Sequence, residues 1–247
     1  MDVFFDQSEY ELRCEWGISG LRALRPLADV IIIVDVLSFS TAVDIAVGKG
    51  AFVFPYRWKD DSAKRFAATK GALLAAKREA PGEYSLSPSS LCSIAPGTGI
   101  VLPSPNGSTL SVSASGVPTF TASLRNAPEV ARRAALRGSR IAVIPAGERW
   151  DDDSMRPCLE DLLGAGAVLS ALPGTRSPEV EVAVSAFSSA RHCLAERLAG
   201  CSSGKELIEA GFSGDVALAA EHGVSSAAPF LVVDRFVNDS DYSGSAQ

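Results

Sequence analysis

The sequence predicts an α/β fold in which helices cover both faces of a largely parallel sheet. The first sign is the run at 31–34, Ile-Ile-Ile-Val, because an unbroken β-branched stretch is typical of a strand buried on both faces. The second is the alternation of such stretches with longer helical patterns, which is typical of crossovers between parallel strands. The third is size, because 247 residues, 47% of them apolar, suffice for a large core. We predict a single domain over residues 1–237 and a polar, flexible tail over 238–247.

Strands and helices are predicted to alternate along the chain. We place strands at 3–5, 30–35, 51–55, 117–121, 140–145 and 231–236, and helices at 40–47, 60–79, 127–136, 158–167, 178–198, 204–210 and 214–221. The basic residues of the second helix are interpreted as a solvated face. Thr41 and Asp44 have the spacing of a capping box, which favours a capping role for Asp44. Residues 81–107 are dense in Ser, Pro and Gly, and they are predicted to form a long loop with little regular structure.

Composition and charge argue against several classes of partner. The formal net charge of −6 disfavours nucleic acid or an anionic membrane as the main partner. It leaves a small anionic ligand open, because a bound metal or a local group of arginines can invert the local field. The five cysteines are scattered and form no Cys-x-x-Cys pair, which is typical of reduced thiols in a cytoplasmic protein without a zinc site. The first residues lack a signal-peptide pattern, and no apolar run approaches the length of a membrane span.

The most informative carboxylate is Asp35, which directly follows the predicted strand at 30–35. Open α/β sheets place functional residues at the carboxyl ends of their strands. Ser38, Ser40 and Thr41 follow within a few residues and are typical of a helix start, where hydroxyl oxygens accept hydrogen bonds from free N–H groups. Asp35 is therefore either a functional carboxylate or a cap of the following helix, and the pattern alone leaves both open.

Other polar groups fall at the ends of predicted strands or at the start of a helix. Carboxylate oxygens suit Mg²⁺, whereas arginine and successive backbone N–H groups suit phosphate. Each group also has a structural interpretation. Asn106 and Gly107, which can take φ > 0 at little cost, would form a tight turn, Arg125 would be a surface residue, 148–149 would be a local ion pair, and 160–161 would be helix-dipole acids. The groups are Asn106-Gly107-Ser108, Arg125-Asn126, Glu148-Arg149 and Glu160-Asp161.

Several catalytic classes do not fit the sequence. The two histidines lie in helical patterns and no Gly-x-Ser-x-Gly is present, which disfavours a Ser-His-Asp hydrolase. Neither a P-loop nor a Gly-x-Gly-x-x-Gly motif follows a strand. An aspartyl nucleophile at Asp35 resembles the haloacid-dehalogenase phosphatases, but their pattern needs a second Asp two residues later, where this chain has Leu37.

Five motifs, in this order and at similar spacing, resemble those of the 2-phosphosulfolactate phosphatase (ComB) family. The resemblance extends from Val3 to about Phe236. Each motif alone is weak, whereas five in order are fairly specific. The motifs are Val34-Asp35-Val36-Leu37 with Ser40-Thr41, Ser104-Pro105-Asn106-Gly107-Ser108, Leu124-Arg125-Asn126-Ala127, Ala146-Gly147-Glu148, and Leu159-Glu160-Asp161-Leu162 with Ala165-Gly166-Ala167.

The resemblance implies a ComB-like α/β fold and a Mg²⁺-dependent phosphatase acting on phosphate monoesters of 2-hydroxy acids. The name-giving substrate, 2-phosphosulfolactate, lies on the route to coenzyme M. Seven positions of this chain match the family motifs: Asp35, Asn106, Gly107, Asn126, Glu148, Glu160 and Asp161.

Residue chemistry suggests a role for each candidate. We expect Asp35, with Glu160 or Asp161, to hold Mg²⁺, and Asp35 and Glu148 to be the catalytic residues. Substrate binding is assigned to Ser38, Ser40, Asn106, Gly107, Ser108, Arg125 and Asn126. A small anionic phosphate ester is the expected partner, and a homodimer is possible.

One departure from the family pattern concerns position 38, where the family usually has an arginine and this chain has Ser38. An arginine there would be a natural clamp for phosphate, carboxylate or sulfonate. We expect Arg125 or Arg149 to compensate. The alternatives are a different phosphoester substrate, such as a sugar phosphate, or a non-catalytic relative that binds a phosphorylated metabolite.

Overall fold

The computed structural model describes residues 3–58, 60–80 and 82–242. Its strands are β1 (Leu12–Cys14), β2 (Val30–Val34), β3 (Phe52–Tyr56), β4 (Leu73–Leu74), β5 (Gly99–Pro103), β6 (Thr119–Ala122), β7 (Ile141–Pro145), β8 (Glu148–Arg149), β9 (Met155–Arg156), β10 (Pro229–Val232) and β11 (Arg235–Asn238). Nine of them form one sheet in the order β1-β7-β2-β6-β10-β11-β3-β5-β4, and β8 and β9 form a separate small ribbon.

The sheet consists of two parallel blocks joined by an antiparallel hairpin. Strands β1, β7, β2 and β6 run parallel, as do β3, β5 and β4. Between the blocks, β10 and β11 pair with each other and with their outer neighbours in antiparallel fashion. Val34 lies opposite Pro145 of β7 and Ala122 of β6, so these three strands end at the same level. Chain segments leaving β7, β2 and β6 therefore meet at one edge of the sheet.

Helices cover both faces of each block, which confirms the predicted α/β class. One face of the first block packs against α6, α7, α8, α9 and α11, and its other face packs against α1 and α5. In the second block, α2 and α4 cover one face and α3 covers the other. The helices are α1 (Gly17–Leu24), α2 (Phe39–Gly48), α3 (Asp61–Lys70), α4 (Pro88–Leu91), α5 (Gly107–Ser113), α6 (Ala127–Ala135), α7 (Leu159–Ser170), α8 (Pro178–Ala190), α9 (Leu194–Gly200), α10 (Ser202–Glu209) and α11 (Ser213–Ala219).

The sequence of β2 is apolar without alternation because both faces of this central strand are buried. Val30, Ile32 and Val34 belong to the core on one face of the sheet, whereas Ile31 and Ile33 belong to the core on the other. All five side chains are fully buried. Each contributes roughly 1.5–3 kcal/mol relative to an exposed position, so β2 is a rigid base for the residues that follow it.

The strand predicted near the amino terminus is wrong. Residues Val3–Phe5 form a 3-10 turn rather than a strand, and the first strand is β1, within a segment that showed no clear pattern. Arg13 at the centre of β1 is almost fully buried, because its guanidinium donates to the carbonyl oxygens of Asp6 (3.3 Å) and Leu27 (2.8 Å). A charged residue in a three-residue strand hides that strand from a hydrophobicity pattern.

Three predicted elements have different boundaries in the structure. The helix predicted at 60–79 ends at Lys70, because Gly71 takes a left-handed conformation, and β4 follows. The helix predicted at 178–198 is divided into α8 and α9. The strand predicted at 231–236 is a hairpin, β10 and β11, which reverses at Val233 with φ +59°.

The segment 81–107 is more regular than predicted. It contains α4 and β5, and β5 pairs with both β3 and β4. At the other end, residues 238–242 complete β11 and a 3-10 turn, where Asp239 is buried against Arg133 and Arg137. The rest of the predicted tail, 243–247, lies outside the described residues. In the part of the chain that the structure describes, no helix has the length and apolar character needed to cross a membrane.

Candidate active site

Asp35 is the first residue after β2, and its carboxylate joins two helix starts. Its Oδ1 accepts a hydrogen bond from the N–H of Phe39, the first residue of α2 (3.3 Å). Its Oδ2 accepts from the N–H of Gly107, the first residue of α5 (2.9 Å). The side chain is 7% exposed. Asp35 therefore accepts hydrogen bonds at the start of the following helix, which was one of the two interpretations of the sequence. It also lies at the edge of the sheet where β7, β2 and β6 end.

Gly107 is required by close approach rather than by an unusual backbone angle. The predicted turn is present at Pro105 and Asn106, but it does not use a positive φ, because Asn106 has φ −101° and Gly107 begins α5. A Cβ at position 107 would contact the ring of Phe39 and would lie 2.7 Å from Oδ2 of Asp35. The absence of a side chain lets the α5 backbone reach the Asp35 carboxylate.

Glu148 lies beyond the end of β7 and is held by Asn106. The Nδ2 of Asn106 donates to Oε2 of Glu148 (2.8 Å). Burial is the largest effect on Glu148, and it raises the pKa of this carboxyl; Glu160 and Glu206 raise it further, while Asn106 and Arg156 oppose the shift. A carboxylate with a raised pKa can take up a proton closer to neutral pH.

Glu160 and Asp161 begin α7, and both are buried. The two oxygens of Asp161 accept backbone N–H groups, Oδ1 from Val36 (2.7 Å) and Oδ2 from Gly147 (2.9 Å). Asp161 therefore fastens the segments after β2 and β7 to α7. Burial, followed by Asp35 and Glu160, raises the pKa of Asp161 well above its usual value. Oε2 of Glu160 accepts from the thiol of Cys201 (3.2 Å).

Together Asp35, Glu148, Glu160 and Asp161 form what we call the carboxylate cluster. Burial raises the pKa of Asp35 to about 7, and the negative charges of Glu148 and Glu160 add to this effect. Like charges that raise one another's pKa are stabilised by a cation placed among them.

The donor chemistry of the carboxylate cluster fits Mg²⁺. Within residues 3–58, 60–80 and 82–242, no group of three or more His, Cys, Asp or Glu side chains is arranged to hold a metal ion by itself. Mg²⁺ does not need such a cage, because it usually keeps several waters and takes one or two carboxylates plus substrate phosphate oxygens. Asp35, Glu160 and Asp161 supply such carboxylates. Each oxygen of Asp35 and of Asp161 accepts one backbone N–H group, which leaves each of these oxygens a second lone pair for a cation.

Two serines predicted to bind substrate lie inside the protein instead. The Oγ of Ser40 accepts from the N–H of Asp35 (2.9 Å) and shares a hydrogen bond with Oγ1 of Thr121 (2.6 Å). The Oγ of Ser108 donates to the carbonyl of Leu102 (2.8 Å). Both serines are fully buried. They support the backbone around Asp35 rather than face a ligand.

Arg125 binds α2 rather than the carboxylate cluster. Its Nε donates to Oδ2 of Asp44 (3.0 Å), and its Nη1 pairs with Glu221. Asp44 also accepts from the Oγ of Ser225 (2.6 Å) and is buried in the middle of α2, so its predicted capping role is wrong. Burial raises the pKa of Asp44 to about 6, although Ser225 and Arg125 oppose the shift.

Asn126 and Arg149 also make contacts within the protein rather than with the carboxylate cluster. Oδ1 of Asn126 accepts from the N–H of Ser123 (2.8 Å), which closes the turn after β6. The Nη1 of Arg149 lies 3.8 Å from Asp153, with the Arg149 side chain 49% exposed. Neither Arg125 nor Arg149 is the arginine that contacts Ser38.

The arginine that contacts Ser38 is Arg78, which sequence reasoning assigned to a solvated helix face. Its Nη2 donates to the Oγ of Ser38 (3.1 Å), and its Nη1 pairs with Oδ2 of Asp215 (2.5 Å). Its guanidinium carbon lies 5.2 Å from the ring centre of Phe212. Gly71 was the available signal, because a helix that ends there leaves Arg78 free to turn inward.

Two cavities border these residues. The larger, about 830 Å³, is lined by Arg78, Lys77, Pro103, Glu206 and Phe212 among others. The smaller, about 240 Å³, is lined by Asn106 and Glu148 together with residues at the start of α1. Glu206 on the wall of the larger cavity is near enough to Glu148 to raise its pKa. A ligand in the smaller cavity would contact Glu148, and a ligand in the larger cavity would contact Arg78.

Comparison with known proteins gives one positive finding. A family model described as 2-phosphosulpholactate phosphatase matches residues 21–233 of this chain. The match includes every residue of the carboxylate cluster, Arg78 and the strands from β2 to β10. No curated protein matches the chain.

Proposed function

This chain belongs to the 2-phosphosulpholactate phosphatase family, and we propose that it is a Mg²⁺-dependent phosphatase of small 2-hydroxy-acid phosphate esters. The first candidate substrate is 2-phosphosulfolactate, and the products would be the hydroxy acid and inorganic phosphate. The observation that carries the proposal is that Asp35 and Glu160 are buried in one cluster with the half-buried Glu148, where the charges of Glu148 and Glu160 add to burial in raising the pKa of Asp35. Buried carboxylates that raise one another's pKa destabilise the folded protein, and such groups are typical of functional sites.

Asp35 and Glu160 are the residues proposed to hold Mg²⁺. When bound, Mg²⁺ neutralises charge on the phosphoryl oxygens and makes a water easier to deprotonate. Asp161 is proposed to act through its two backbone hydrogen bonds, which fix Val36 and Gly147 and so set the spacing between the segments that carry Asp35 and Glu148.

Glu148 is proposed to be the general base. Asn106 holds its Oε2, which leaves Oε1 to accept a proton from the attacking water. The raised pKa of Glu148 suits that task near neutral pH. The water oxygen forms a bond to phosphorus as the bond between phosphorus and the ester oxygen breaks. The ester oxygen leaves with the electron pair of that bond and takes up a proton from solvent to give the 2-hydroxy acid, and Glu148 later returns its proton to solvent.

The test is phosphate release from a panel of phosphate esters. The panel contains 2-phosphosulfolactate, 2-phospholactate, a sugar phosphate and phenyl phosphate, each assayed with Mg²⁺ and with EDTA. Release that requires Mg²⁺ and favours the 2-hydroxy-acid esters is the expected result. Preferred release from the sugar phosphate would move the assignment to another phosphoester. Saturable anion binding without any release would identify a non-catalytic relative.

The same assay on Asp35→Asn tests the cluster itself. Asparagine keeps the size of the side chain but removes its charge, so we expect phosphate release to fall at least a hundredfold. The matched control is Asp151→Asn, which removes a carboxylate from an exposed loop near the site and should retain wild-type rates. Near-normal release by a folded Asp35→Asn protein would contradict the metal-ligand role of Asp35.

A further inference from the structure

We propose that Arg78, anchored by Asp215, binds the acid group of the substrate and selects phosphate esters that carry a carboxylate or sulfonate. This inference rests on the proposed function, because it names the group at the same site that recognises the non-phosphate end of the substrate. Arg78 would be a specificity residue, and Asp215 would be its positioning residue.

The first support is the rigid anchoring of Arg78. Asp215 is 1% exposed, and its Oδ2 accepts from Nη1 of Arg78. Its Oδ1 accepts from the Oγ of Ser87 (2.7 Å) and the N–H of Ser89 (3.1 Å). The carboxylate is therefore held from two sides, and Phe212 packs near the guanidinium plane. A guanidinium fixed in this way loses little entropy when an anion binds to it.

The second support is the hydrogen-bonding capacity that remains on Arg78. A guanidinium carries five N–H donors in a planar fork. Three of them are used among the described residues, by Asp215, by Ser38 and by the carbonyl of Leu86 at a long 3.5 Å. Two donors are left for a carboxylate or sulfonate oxygen at the wall of the larger cavity, which Arg78 lines.

The third support is the position of Arg78 relative to the carboxylate cluster. Asp35 is close enough to raise the pKa of Arg78, although burial, the larger effect, lowers it. Ser38, which Arg78 contacts, lies three residues after Asp35 and has a side chain short enough to leave this space to the guanidinium. One small ligand could thus present its phosphate to the cluster and its acid group to Arg78.

Electrostatics gives each end of the site a different task. The cluster carries only carboxylates, so it accepts a phosphate when a cation is present. Arg78 is a permanent cation and needs no metal to bind an anion. A phosphate ester that lacks a second acid group would use only the first half of the site.

The experiment compares two substrates in the Arg78→Gln protein. The substrates are 2-phospholactate, which carries a carboxylate, and phenyl phosphate, which does not. We expect KM for 2-phospholactate to rise roughly tenfold to a hundredfold, the loss typical of one charge-assisted interaction, while kcat/KM for phenyl phosphate stays within about threefold of wild type. Equal losses for both substrates would overturn the proposal, because they would place Arg78 at the phosphate or in a purely structural role.

The matched control is Arg137→Gln. Arg137 also pairs with a buried aspartate, Asp239, and also lies over a phenylalanine ring, with 4.0 Å from its guanidinium carbon to the ring centre of Phe230. The Arg137→Gln protein should lose about as much stability as the Arg78→Gln protein, but its preference between the two substrates should not change. Arg78→Lys keeps the positive charge but lacks the planar guanidinium, so we expect its KM for 2-phospholactate to lie between those of the wild type and Arg78→Gln. If Arg78→Gln does not fold, Arg78→Lys tests whether this side chain recognises the acid group of the substrate.

A binding measurement separates this inference from the proposed function. Calorimetry with 3-sulfolactate, which carries acid groups but no phosphate, measures the Arg78 end alone. If the wild type releases phosphate from no substrate, the phosphatase proposal fails. The Arg78 proposal then stands if Arg78→Gln weakens 3-sulfolactate binding at least tenfold and Arg137→Gln does not, and it fails if wild type and Arg78→Gln bind alike or not at all.

Discussion

At the scale of single residues, the approach of α5 to Asp35 depends on the missing side chain of Gly107. Placing a methyl group there would press on the ring of Phe39 and on Oδ2 of Asp35. Both neighbours are buried and cannot move away freely. The hydrogen bond from the Gly107 N–H to Asp35 would lengthen as α5 shifts, so the substitution should affect stability and the site together.

We predict that Gly107→Ala lowers the free energy of unfolding by about 1–3 kcal/mol, the range for overpacking a buried site. Phosphate release should fall as well, because Asp35 is displaced. Chemical denaturation and the phosphate assay measure the two effects. The control is Gly200→Ala, where a Cβ would meet no described atom within 4 Å and stability should hardly change. A fully stable and active Gly107→Ala protein would disprove the close-approach argument.

Some site residues could be identified from the sequence, and others could not. Asp35 and Glu148 were identifiable because they follow strands of clear pattern, and the sheet register brings those strand ends level. Ser40 and Ser108 were misassigned, because a hydroxyl near a strand end can face either the core or a ligand. Arg78 was missed because its partner Asp215 is 137 positions away in sequence, and no local pattern records such a pairing.

At the scale of elements, Arg125 connects α2 to the segment around α11. It pairs with Asp44 inside α2, donates to the carbonyl of Leu218 (3.2 Å), and pairs with Glu221. Asp44 is buried, so loss of Arg125 leaves a carboxylate without its cation partner. This arrangement supports a role in packing rather than in substrate binding.

We therefore predict that Arg125→Gln lowers the free energy of unfolding by roughly 1–4 kcal/mol and leaves KM for the substrate unchanged. Thermal or chemical denaturation and steady-state kinetics measure the two quantities. Arg149→Gln removes an exposed arginine and should change stability by less than about 0.5 kcal/mol. A raised KM with normal stability in Arg125→Gln would instead restore the substrate-binding role expected from the sequence.

Local patterns also decided which elements were predictable. β2 and β7 have unbroken apolar runs, and both were found within one or two residues. The β10–β11 hairpin was not, because its turn contains Val233 at a positive φ where a pattern search expects Gly or Asn. Gly99–Pro103 was hidden by the Pro- and Gly-rich residues around it, although it pairs with strands on both sides.

At the scale of the whole molecule, the α/β class follows from alternating elements, but the strand order does not. The antiparallel hairpin between the two parallel blocks depends on pairing between β10 and β6 and between β11 and β3, which are far apart in sequence. The consequence for function is that the carboxylate cluster consists of residues that follow β2, follow β7 and begin α7, with α5 donating a hydrogen bond to Asp35, and only the complete fold brings these segments together. Repulsion among these buried carboxylates therefore lowers the free energy of unfolding of the whole protein.

The raised pKa values of the buried carboxylates predict how the stability of the metal-free protein depends on pH. Asp35 has a pKa near 7 when folded, against an ordinary 3.8, so the folded state binds its proton more tightly than the unfolded state. Its stabilising contribution is complete below about pH 4 and is lost as pH rises through about 7. The raised pKa values of Asp44, Glu148 and Asp161 act in the same direction. We expect the free energy of unfolding in EDTA to fall by a few kcal/mol between pH 5 and pH 8.

Replacing Asp35 and adding Mg²⁺ should both oppose this loss. Asp35→Asn cannot ionise, so its unfolding free energy should fall less between pH 5 and pH 8 and should exceed that of the wild type at pH 8 in EDTA. Mg²⁺ should raise the wild-type Tm more at pH 8 than at pH 5, because it binds the ionised cluster, and should raise that of Asp35→Asn less. Asp151→Asn should follow the wild-type curve. Denaturation at four pH values with EDTA or Mg²⁺ provides the measurement, and wild-type stability that stays level or rises from pH 5 to pH 8 in EDTA would show that the cluster does not carry the strain assigned to it.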